Sequence, residues 1–231
     1  MKVLSIKPEE TYQWCLKKHY AHRIPPIGSA FGIYNDMSIL VGICTYATPM
    51  SWSLQIGICG ENYANRVIEL NRLCLNEGLP KNTASYFISQ TFKLLPKPAI
   101  VVSYSDTAQN HHGYIYQACN FIYTGLSKPF KEYAVRGLEH MHSASIGDTI
   151  GRSDKIGHGK SKYKMLEDKY GKENVYWRER SLKHRYLYFL GSKKQIKEYK
   201  KALLYKIEPY PKGDNKRYDT SFQPETQELL F

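Results

Sequence analysis

The stretch Ala99-Ile100-Val101-Val102-Ser103-Tyr104-Ser105-Asp106 contains a continuous apolar run that ends in polar residues. A continuous run, in contrast to an alternating one, is typical of a central strand that is buried on both faces of a sheet. Ligands of open α/β sheets bind in the crevice just beyond the carboxyl ends of such strands. We therefore select Asp106 as the first candidate for a functional carboxylate. The alternative is a structural role for Asp106 as a helix N-cap or in an Asx turn.

The segments around this strand predict the other elements of a sheet with helices. Residues 30–34 and 39–46 are apolar runs on either side of Asn35-Asp36, a turn signal, and they predict an antiparallel hairpin. The remaining predicted elements are helices at 83–95, 113–118 and 193–203 and strands at 67–75, 121–125 and 183–191. Because strands alternate with helices, we expect an α/β fold with a mixed central sheet flanked by helices.

The composition of the sequence changes between about residues 140 and 176, where Gly, Ser, His and Lys dominate. Apolar periodicity is lost there until a short helix at 161–170, which predicts a basic insertion or a substrate-binding loop before the last strand. A chain of 231 residues fits one large domain. We expect that domain at 1–209, including the insertion, and a C-terminal surface tail at 210–231.

The net charge of +12 is concentrated in one segment. Residues 152–217 hold 20 Lys and Arg against 8 Asp and Glu, whereas residues 1–151 hold 13 against 10. Such clustering is expected of a surface that binds a polyanion, because each neutralised phosphate releases counterions. The alternatives are a solvated basic face without a dedicated ligand and weak attraction to an anionic membrane.

Composition excludes several classes of protein. Hydrophobic residues at 42% and charged residues at 23% are ordinary for a folded chain and argue against disorder. No apolar run approaches the roughly 20 residues of a membrane span, and the N-terminus lacks the apolar core of a signal peptide. We therefore expect a cytoplasmic protein without a membrane partner. The five scattered cysteines predict reduced thiols, not a disulfide framework or a zinc site.

Two further pairs of residues are candidates for chemistry. Residues 8–21 predict an amphipathic helix that His19-Tyr20 closes, and this pair could ligate a metal or hold a phosphate. The structural alternative is that His19 caps its own helix. On the strand at 67–75, Glu69 and Arg72 could act as a base and an anion-binding group, or Glu69 could be a surface partner of an arginine. The adjacent His111 and His112 point in different directions and rarely ligate one ion together.

The aromatic content also bears on function. The chain has 20 Tyr and 8 Phe, many of them interleaved with Lys and Arg. Enzymes that modify a base must take it out of the duplex, and extruded bases stack on aromatic rings. An aromatic crevice bordered by a basic segment suits base chemistry on DNA or RNA, although core packing explains the same composition.

At these residues the chain resembles the Mom family of phage DNA-modification proteins. The resemblance covers most of residues 5–190. It rests on three blocks: Lys18-His19-Tyr20-Ala21-His22-Arg23-Ile24-Pro25, Glu69-Leu70-Asn71-Arg72-Leu73, and the stretch from Ser103 to Gly125. The middle block is shared broadly by GNAT-like acyltransferases. The resemblance implies a GNAT-like fold and a transferase that converts adenine in DNA to its carbamoylmethyl derivative, which protects phage DNA from host restriction.

The resemblance also implies a set of site residues. It points to an iron site formed by His19, Tyr20, Asp106 and Tyr116, the last of which follows Asp106 by ten residues. Imidazole, phenolate and carboxylate groups suit a hard iron(III) ion. The same four residues, together with Glu69, could instead hold substrate and move protons.

One stretch departs from the pattern of GNAT acetyltransferases. Their loop Gln/Arg-x-x-Gly-x-Gly/Ala holds the pyrophosphate of coenzyme A at a helix N-terminus. Here the corresponding stretch is Asn76-Glu77-Gly78-Leu79-Pro80-Lys81-Asn82-Thr83-Ala84. Use of acyl-CoA is therefore doubtful, and a glycyl-tRNA is the other donor considered, since it would also use the basic surface.

Three functions remain open at this point: a DNA-modifying transferase, an ordinary GNAT N-acetyltransferase on a protein or small amine, and a non-catalytic DNA-binding protein that blocks host nucleases. The expected partner of the first is double-stranded DNA, with tRNA and a second copy of the chain as further candidates. The residues expected to contact phosphate are Arg23, Lys155, Lys160, Lys162 and Lys164.

Overall fold

The computed structural model describes residues 1–139, 141, 143–150 and 161–214. The chain divides into two compact units, of which the first consists of residues 1–127 and 183–231 and the second of residues 128–182. The insertion expected at about 140–176 lies inside the second unit, which begins earlier and ends later. No helix within the described ranges is long and apolar enough to cross a lipid bilayer.

Seven of the nine strands form one sheet in the first unit. The strands are β1 (Lys2–Ser5), β2 (Ser29–Tyr34), β3 (Leu40–Ala47), β4 (Val67–Leu75), β5 (Ala99–Asp106), β6 (Ile122–Leu126), β7 (Lys131–Val135), β8 (Val175–Glu179) and β9 (Lys183–Leu190). The order in the sheet is β1-β2-β3-β4-β5-β9-β6. All neighbours pair antiparallel except β4 and β5, which are parallel. The predicted α/β class with a mixed central sheet is thereby confirmed.

The parallel pair parts before its strands end. Pairing between β4 and β5 runs from Val67 opposite Ile100 to Leu70 opposite Ser103. The hydroxyl of Ser103 donates to the carbonyl of Leu70 at 2.8 Å, which links the two strands where their pairing stops. Both strands continue beyond this link, so their last residues border a gap in the sheet.

Helices cover both faces of the sheet. The α-helices of the described residues are α1 (Trp52–Cys59), α2 (Thr83–Leu94), α3 (Tyr114–Ala118), α4 (Ser143–Asp148), α5 (Lys162–Tyr170) and α6 (Lys193–Ala202), of which α4 and α5 belong to the second unit. On the first face, α2 and α3 cover the main hydrophobic core, which contains Phe87, Phe121 and Tyr186. On the second face, α1 and α6 cover a smaller cluster around Ile100 and Val102. The predicted helices at 83–95, 113–118 and 193–203 are confirmed within a few residues.

The single helix expected at 8–21 is replaced by two short turns. A 3-10 turn covers Pro8–Thr11 and a π-helical turn covers Trp14–Lys18. The N–H of His19 donates to the carbonyl of Trp14 at 2.9 Å, and the chain becomes extended at His19. The π turn packs on the second face, where Trp14 and Cys15 join a third hydrophobic cluster with Ile43 and Cys74 of the sheet.

The second unit has its own core. Strands β7 and β8 form an antiparallel pair from Lys131 opposite Glu179 to Val135 opposite Val175. Helices α4 and α5 contribute Ile146 and Leu166, which are fully buried and pack with Val135 and Val175. A helix was expected from the sequence at 161–170, and α5 confirms it.

The C-terminal part of the described chain runs along the first unit. The N–H of Leu204 donates to the carbonyl of Ile58, and the N–H of Glu208 donates to that of Tyr123. The hydroxyl of Tyr210 donates to the carbonyl of Phe121 at 2.6 Å. The segment assigned from the sequence to a tail thus begins with a docked tyrosine, and residues 215–231 lie outside the described residues.

Candidate active site

Alternation along β5 brings two polar residues to the second face of the sheet. Ile100 and Val102 pack into the cluster beneath α1 and α6. Since successive side chains of a strand point to opposite faces, Tyr104 and Asp106 lie on that same face. The neighbouring strand β9 places Lys183 directly opposite Asp106. The carboxyl end of β5 therefore carries a polar pair where its apolar run stops.

Strand β4 contributes Arg72 to the same face. Between the pairs Tyr46 with Leu70 and Thr45 with Arg72 the register shifts, so Asn71 forms a bulge. After the bulge Arg72 shares a face with Cys74, which packs in the cluster of Trp14 and Cys15. Arg72 and Asp106 thus lie beyond the last paired residues of the two parting strands. We call this region, lined by His19, Arg72, Asp106 and Lys183, the splay cleft.

His19 is buried in the splay cleft and held as a neutral imidazole. Burial lowers the pKa of His19 well below its ordinary value, and the positive charges of Arg72 and Lys183 lower it further. The Nδ1 atom of His19 accepts the N–H of Ala21 at 3.1 Å. A neutral imidazole that accepts at Nδ1 carries its proton on Nε2. His19 can therefore donate a hydrogen bond from Nε2, and it does not act as a permanent cation.

Tyr20 links the cleft to the loop that follows β5. Its ring stacks on His19 with centroids 4.4 Å apart and meets the ring of His111 edge-on at 6.1 Å. The loop is folded back on the strand, because the N–H of His111 donates to the carbonyl of Asp106 and the hydroxyl of Ser105 donates to the carbonyl of His111. The loop and the His-Tyr pair thus come together as the sequence blocks suggested.

The two carboxylate oxygens of Asp106 have different surroundings. Its Oδ1 accepts the N–H of Ala108 at 3.0 Å, so the N-cap role considered from the sequence is present. Its Oδ2 lies 3.5 Å from Nζ of Lys183. The Asp106 side chain is about 10% exposed, which leaves the carboxylate within reach of a bound molecule while its orientation is fixed.

Arg72 supports the rim of the cleft. Its two terminal nitrogens donate to the carbonyl groups of Asn71 at 2.6 Å and Arg23 at 3.1 Å. The Nε atom is buried and has no hydrogen-bond partner among the described residues. Buried polar atoms nearly always have a partner, so this N–H is a candidate donor to a bound anion. Arg23, expected to contact phosphate, contributes its main-chain carbonyl here.

Glu69 and Tyr104 occupy the second face nearer the centre of the sheet. Burial raises the pKa of Tyr104 above its ordinary range, and the carboxylate of Glu69 adds to the shift. Arg185, opposite Tyr104 on β9, donates to the hydroxyl and the carbonyl of Thr124 and lies 3.4 Å above the ring of Tyr205. Analysis of the sequence missed Tyr104, Lys183 and Arg185, whose signal is the alternation along β5 and its partner β9.

Tyr116 lies elsewhere. Its ring is 5.3 Å from those of both Phe121 and Tyr186, and it packs with the main core on the first face. The structure therefore brings together His19, Tyr20, Asp106 and Arg72 but places Tyr116 among the core aromatic residues of the opposite face.

Of the four residues of the iron site that the resemblance implies, Tyr116 lies apart from the other three, on the first face. Nδ1 of His19 accepts a backbone N–H, and Asp106 faces an ammonium group. A cleft lined by Arg72 and Lys183 would repel a cation and attract an anion.

The expected phosphate-binding lysines fall in the second unit. Lys162 is exposed in the first turn of α5. Lys164 lies 3.4 Å from a carboxylate oxygen of Glu167 and 3.8 Å from one of Asp168, so part of its charge is used within the helix. Lys155 and Lys160 lie outside the described residues.

The connection between β4 and α2 differs in local structure from the Gly-rich loop that holds the pyrophosphate of coenzyme A. Pro80 lacks an N–H, and Asn82 at the N-cap of α2 is left-handed without a side-chain cap. The hydroxyl of Thr83 turns back to the carbonyl of Pro80 at 2.7 Å. Two shallow cavities of about 270 and 390 Å³ lie at the start of β4 and β5 and between α2 and α3, away from the splay cleft.

The chain is similar to several known proteins. The fold and the cleft define an α/β protein with a polar site where two parallel strands part. Residues 1–212 match the Mom protein family, and the chain belongs to that family. Over 210 residues it is 27% identical to methylcarbamoylase mom of Escherichia phage Mu. This match covers 84% of this chain and 77% of the phage Mu protein. A solved N-acetyltransferase from Staphylococcus aureus Mu50 is 12% identical with a TM-score of 0.43, covering 82% of this chain and 98% of that one.

Proposed function

We propose that this protein is a DNA-modifying transferase that acts on the exocyclic amine of adenine and leaves a carbamoylmethyl group there. The observation that carries the proposal is the splay cleft, where the oriented carboxylate of Asp106 pairs with Lys183, whose charge also acts on the buried, neutral His19. Membership of the Mom family and the name methylcarbamoylase of the phage Mu relative support the same chemistry. Protection of phage DNA from restriction would be its consequence.

In this proposal Asp106 accepts the proton that the adenine amine loses. The amine becomes acidic only once it attacks a carbonyl carbon, so a carboxylate is a sufficient base at that stage. The bond from Ala108 holds one oxygen in place and leaves Oδ2 to face the amine. Nζ of Lys183, 3.5 Å away, helps to hold this second oxygen before the substrate arrives.

His19 stabilises the negative charge that forms on the carbonyl oxygen of the donor. Its Nε2–H is the free donor of a neutral imidazole, and burial makes a hydrogen bond to an oxyanion stronger than it would be in water. Tyr20 stacks on the imidazole and fixes its plane. The buried Nε–H of Arg72 would bind an anionic part of the donor or of the DNA.

The donor that we propose is an activated glycyl ester. N6 of adenine attacks its carbonyl carbon, the ester carbon–oxygen bond breaks, and the leaving alcohol takes the proton that N6 passes to Asp106. The glycyl amine then attacks ring carbon six, the bond between carbon six and the original N6 breaks, and that nitrogen becomes the amide of the carbamoylmethyl group. Atoms and electrons balance without an oxidant or reductant.

The absence of the Gln/Arg-x-x-Gly-x-Gly/Ala pattern favours this donor over acyl-CoA. The stretch at 76–84 holds Pro80, which has no N–H, where acetyltransferases use a loop of N–H groups to hold coenzyme A. A glycyl-tRNA carries the required ester and would use the basic surface. Purified protein, DNA and glycyl-tRNA labelled in the glycyl group should give labelled DNA, and acetyl-CoA should give none. Transfer from acetyl-CoA to an amine, with glycyl-tRNA unused, would instead assign the protein as an ordinary acetyltransferase.

The test of the reaction is mass spectrometry of nucleosides from DNA of cells that express the protein or its Asp106→Asn variant. We expect a heavier deoxyadenosine with the unaltered chain and a loss of about 100-fold or more with the variant. The matched control is Asp36→Asn, which changes an exposed carboxylate that pairs with the N-terminal ammonium. Unmodified DNA from both folded proteins, with the donor present, would support a non-catalytic DNA-binding protein instead.

A further inference from the structure

The second unit carries an exposed pair of stacked aromatic rings. The rings of Tyr163 on α5 and Trp177 on β8 lie 5.1 Å apart between centroids and 5° from parallel. The ring of Tyr133 on β7, directly opposite Trp177, meets it edge-on at 6.4 Å. We call Tyr133, Tyr163 and Trp177 the aromatic platform.

The unit holds this platform rigidly. The hydroxyl of Tyr163 donates to the carbonyl of Val175 at 2.9 Å, which ties α5 to β8. Beneath the rings, Val135, Leu166 and Val175 are buried in the core of the unit. A parallel pair of rings on such a base loses little conformational freedom when a third flat ring joins it.

Trp177 nevertheless faces solvent. The residue is 54% exposed, whereas Trp14 in the first unit is 3% exposed. A large exposed aromatic side chain on a well-formed core marks an interaction site more often than a lone exposed leucine does. The exposed area belongs to one ring, which suits a flat partner.

The charges around the platform are suited to phosphate. Lys162 precedes Tyr163, and its ammonium group lies beside Gly147, where the hydroxyl of Tyr133 also lies. Lys131 is exposed on the same face of the hairpin as Tyr133, opposite Glu179. The buried Glu132 is on the other face, where the guanidinium of Arg178 binds it at 2.9 Å.

We propose that the aromatic platform binds an unpaired base of a DNA strand, with the base stacked on Trp177 and the flanking phosphates near Lys162 and Lys131. A duplex presents base edges, and only an unpaired base offers a free ring face. Stacking on aromatic rings beside ammonium groups is how proteins bind single strands without reading sequence. This site goes beyond the proposed function, since none of its residues belongs to the splay cleft.

Tryptophan fluorescence tests the proposal on the full chain. The protein has Trp14, Trp52 and Trp177, and Trp52 is also 54% exposed, so it is a matched control. With Trp52→Phe as background, we expect oligothymidylate to quench the emission, and the further change Trp177→Phe to abolish the quenching. We expect Trp177→Ala to weaken binding about five-fold or more and Trp52→Ala to leave it unchanged. Tyr163→Leu should weaken binding in the same direction if Trp177→Ala fails to fold.

The controls separate this site from the reaction. Asp106→Asn should lose DNA modification but bind oligothymidylate as the unaltered chain does. Failure of the proposed reaction and failure of the aromatic platform therefore give different results. Equal losses with Trp52→Ala, absence of quenching, or tighter binding of duplex DNA would each overturn the proposal. So would a preference for oligouridylate over oligothymidylate, which would assign the platform to RNA.

Discussion

The two faces of the seven-stranded sheet use alternate residues of the same strands in different ways. On the first face, Phe87, Phe121 and Tyr186 are fully buried and pack with the aromatic residues of α2 and α3. On the second face, at the point where β4 and β5 part, the strands carry Arg72 and Asp106. The same sheet thus combines a continuous apolar layer with a polar cleft.

The difference shows how a buried polar site is tolerated. Asp106 and Arg72 of the splay cleft each have partners, such as the N–H of Ala108 for Asp106 and the carbonyl of Arg23 for Arg72, although Nε of Arg72 has none among the described residues. These bonds offset the desolvation that burial imposes. We therefore expect the first face to contribute more of the stability and the second face to carry the proposed chemistry.

The largest expected effect concerns the apolar face. Phe121→Ala removes a ring that contacts Phe92, Tyr116 and Tyr188, and we expect it to lower the free energy of unfolding by about 3–5 kcal/mol. Urea denaturation followed by circular dichroism measures this loss. The control is Phe130→Ala, an exposed phenylalanine, with an expected change below about 0.5 kcal/mol. A loss under about 1 kcal/mol for Phe121→Ala would contradict the assignment of the stability to this face.

The sequence predicted elements that rest on local signals. The continuous apolar run gave β5, and the turn at Asn35 gave the hairpin, where the Asn35 side chain accepts the N–H groups of Met37 and Ile39. Helix α1 was missed because Trp52–Cys59 has no amphipathic period, although Ser51 caps it. Strands β7 and β8 were also missed, because they pair with each other across about 40 residues and show no strong alternation.

The residues of the candidate site also divide into those that local sequence signals predicted and those that depend on the tertiary structure. His19, Asp106 and Arg72 could be selected from motifs, because each stands at the end of a recognisable element. Lys183 could not, because its approach to Asp106 depends on the register between β5 and β9, which are more than 70 residues apart. The sequence also could not show on which face of the sheet Tyr116 lies, because a ten-residue interval after Asp106 does not fix the orientation of the next helix.

A second prediction concerns the effect of acid on the two faces. The folded protein lowers the pKa of His19 on the second face and of His184, which is hydrogen-bonded to Tyr123, chiefly through burial. Below the ordinary value of 6.5 the unfolded chain binds more protons than the folded one. The free energy of unfolding therefore falls with the pH from about 6.5 downward, by up to about 1.4 kcal/mol per pH unit for each histidine.

Single variants separate the two contributions. His19→Gln and His184→Gln should each flatten the fall in unfolding free energy between about pH 6.5 and 5, and the double variant should flatten it most. Denaturant titrations at half-unit steps of pH measure the slopes. An unchanged slope in His19→Gln would mean that folding does not lower the pKa of His19, and the assignment of a buried neutral imidazole with a donor Nε2–H would lose its support.

The smallest expected effect tests whether Tyr116 belongs to the apolar first face or takes part in the reaction. Its ring packs with Phe121 and Tyr186 on the apolar face, so Tyr116→Phe keeps the packing and should cost about 1 kcal/mol or less. Modification of DNA, measured by mass spectrometry of nucleosides, should stay within about two-fold of the unaltered chain. The paired variant is Tyr20→Phe beside the splay cleft; we expect the Tyr20 hydroxyl to hold substrate or move a proton, so its loss should lower modification by about ten-fold or more. Because both variants remove one hydroxyl and keep the ring, a large loss with Tyr116→Phe would show that the chemistry extends to the first face, and the division between the faces would then be wrong.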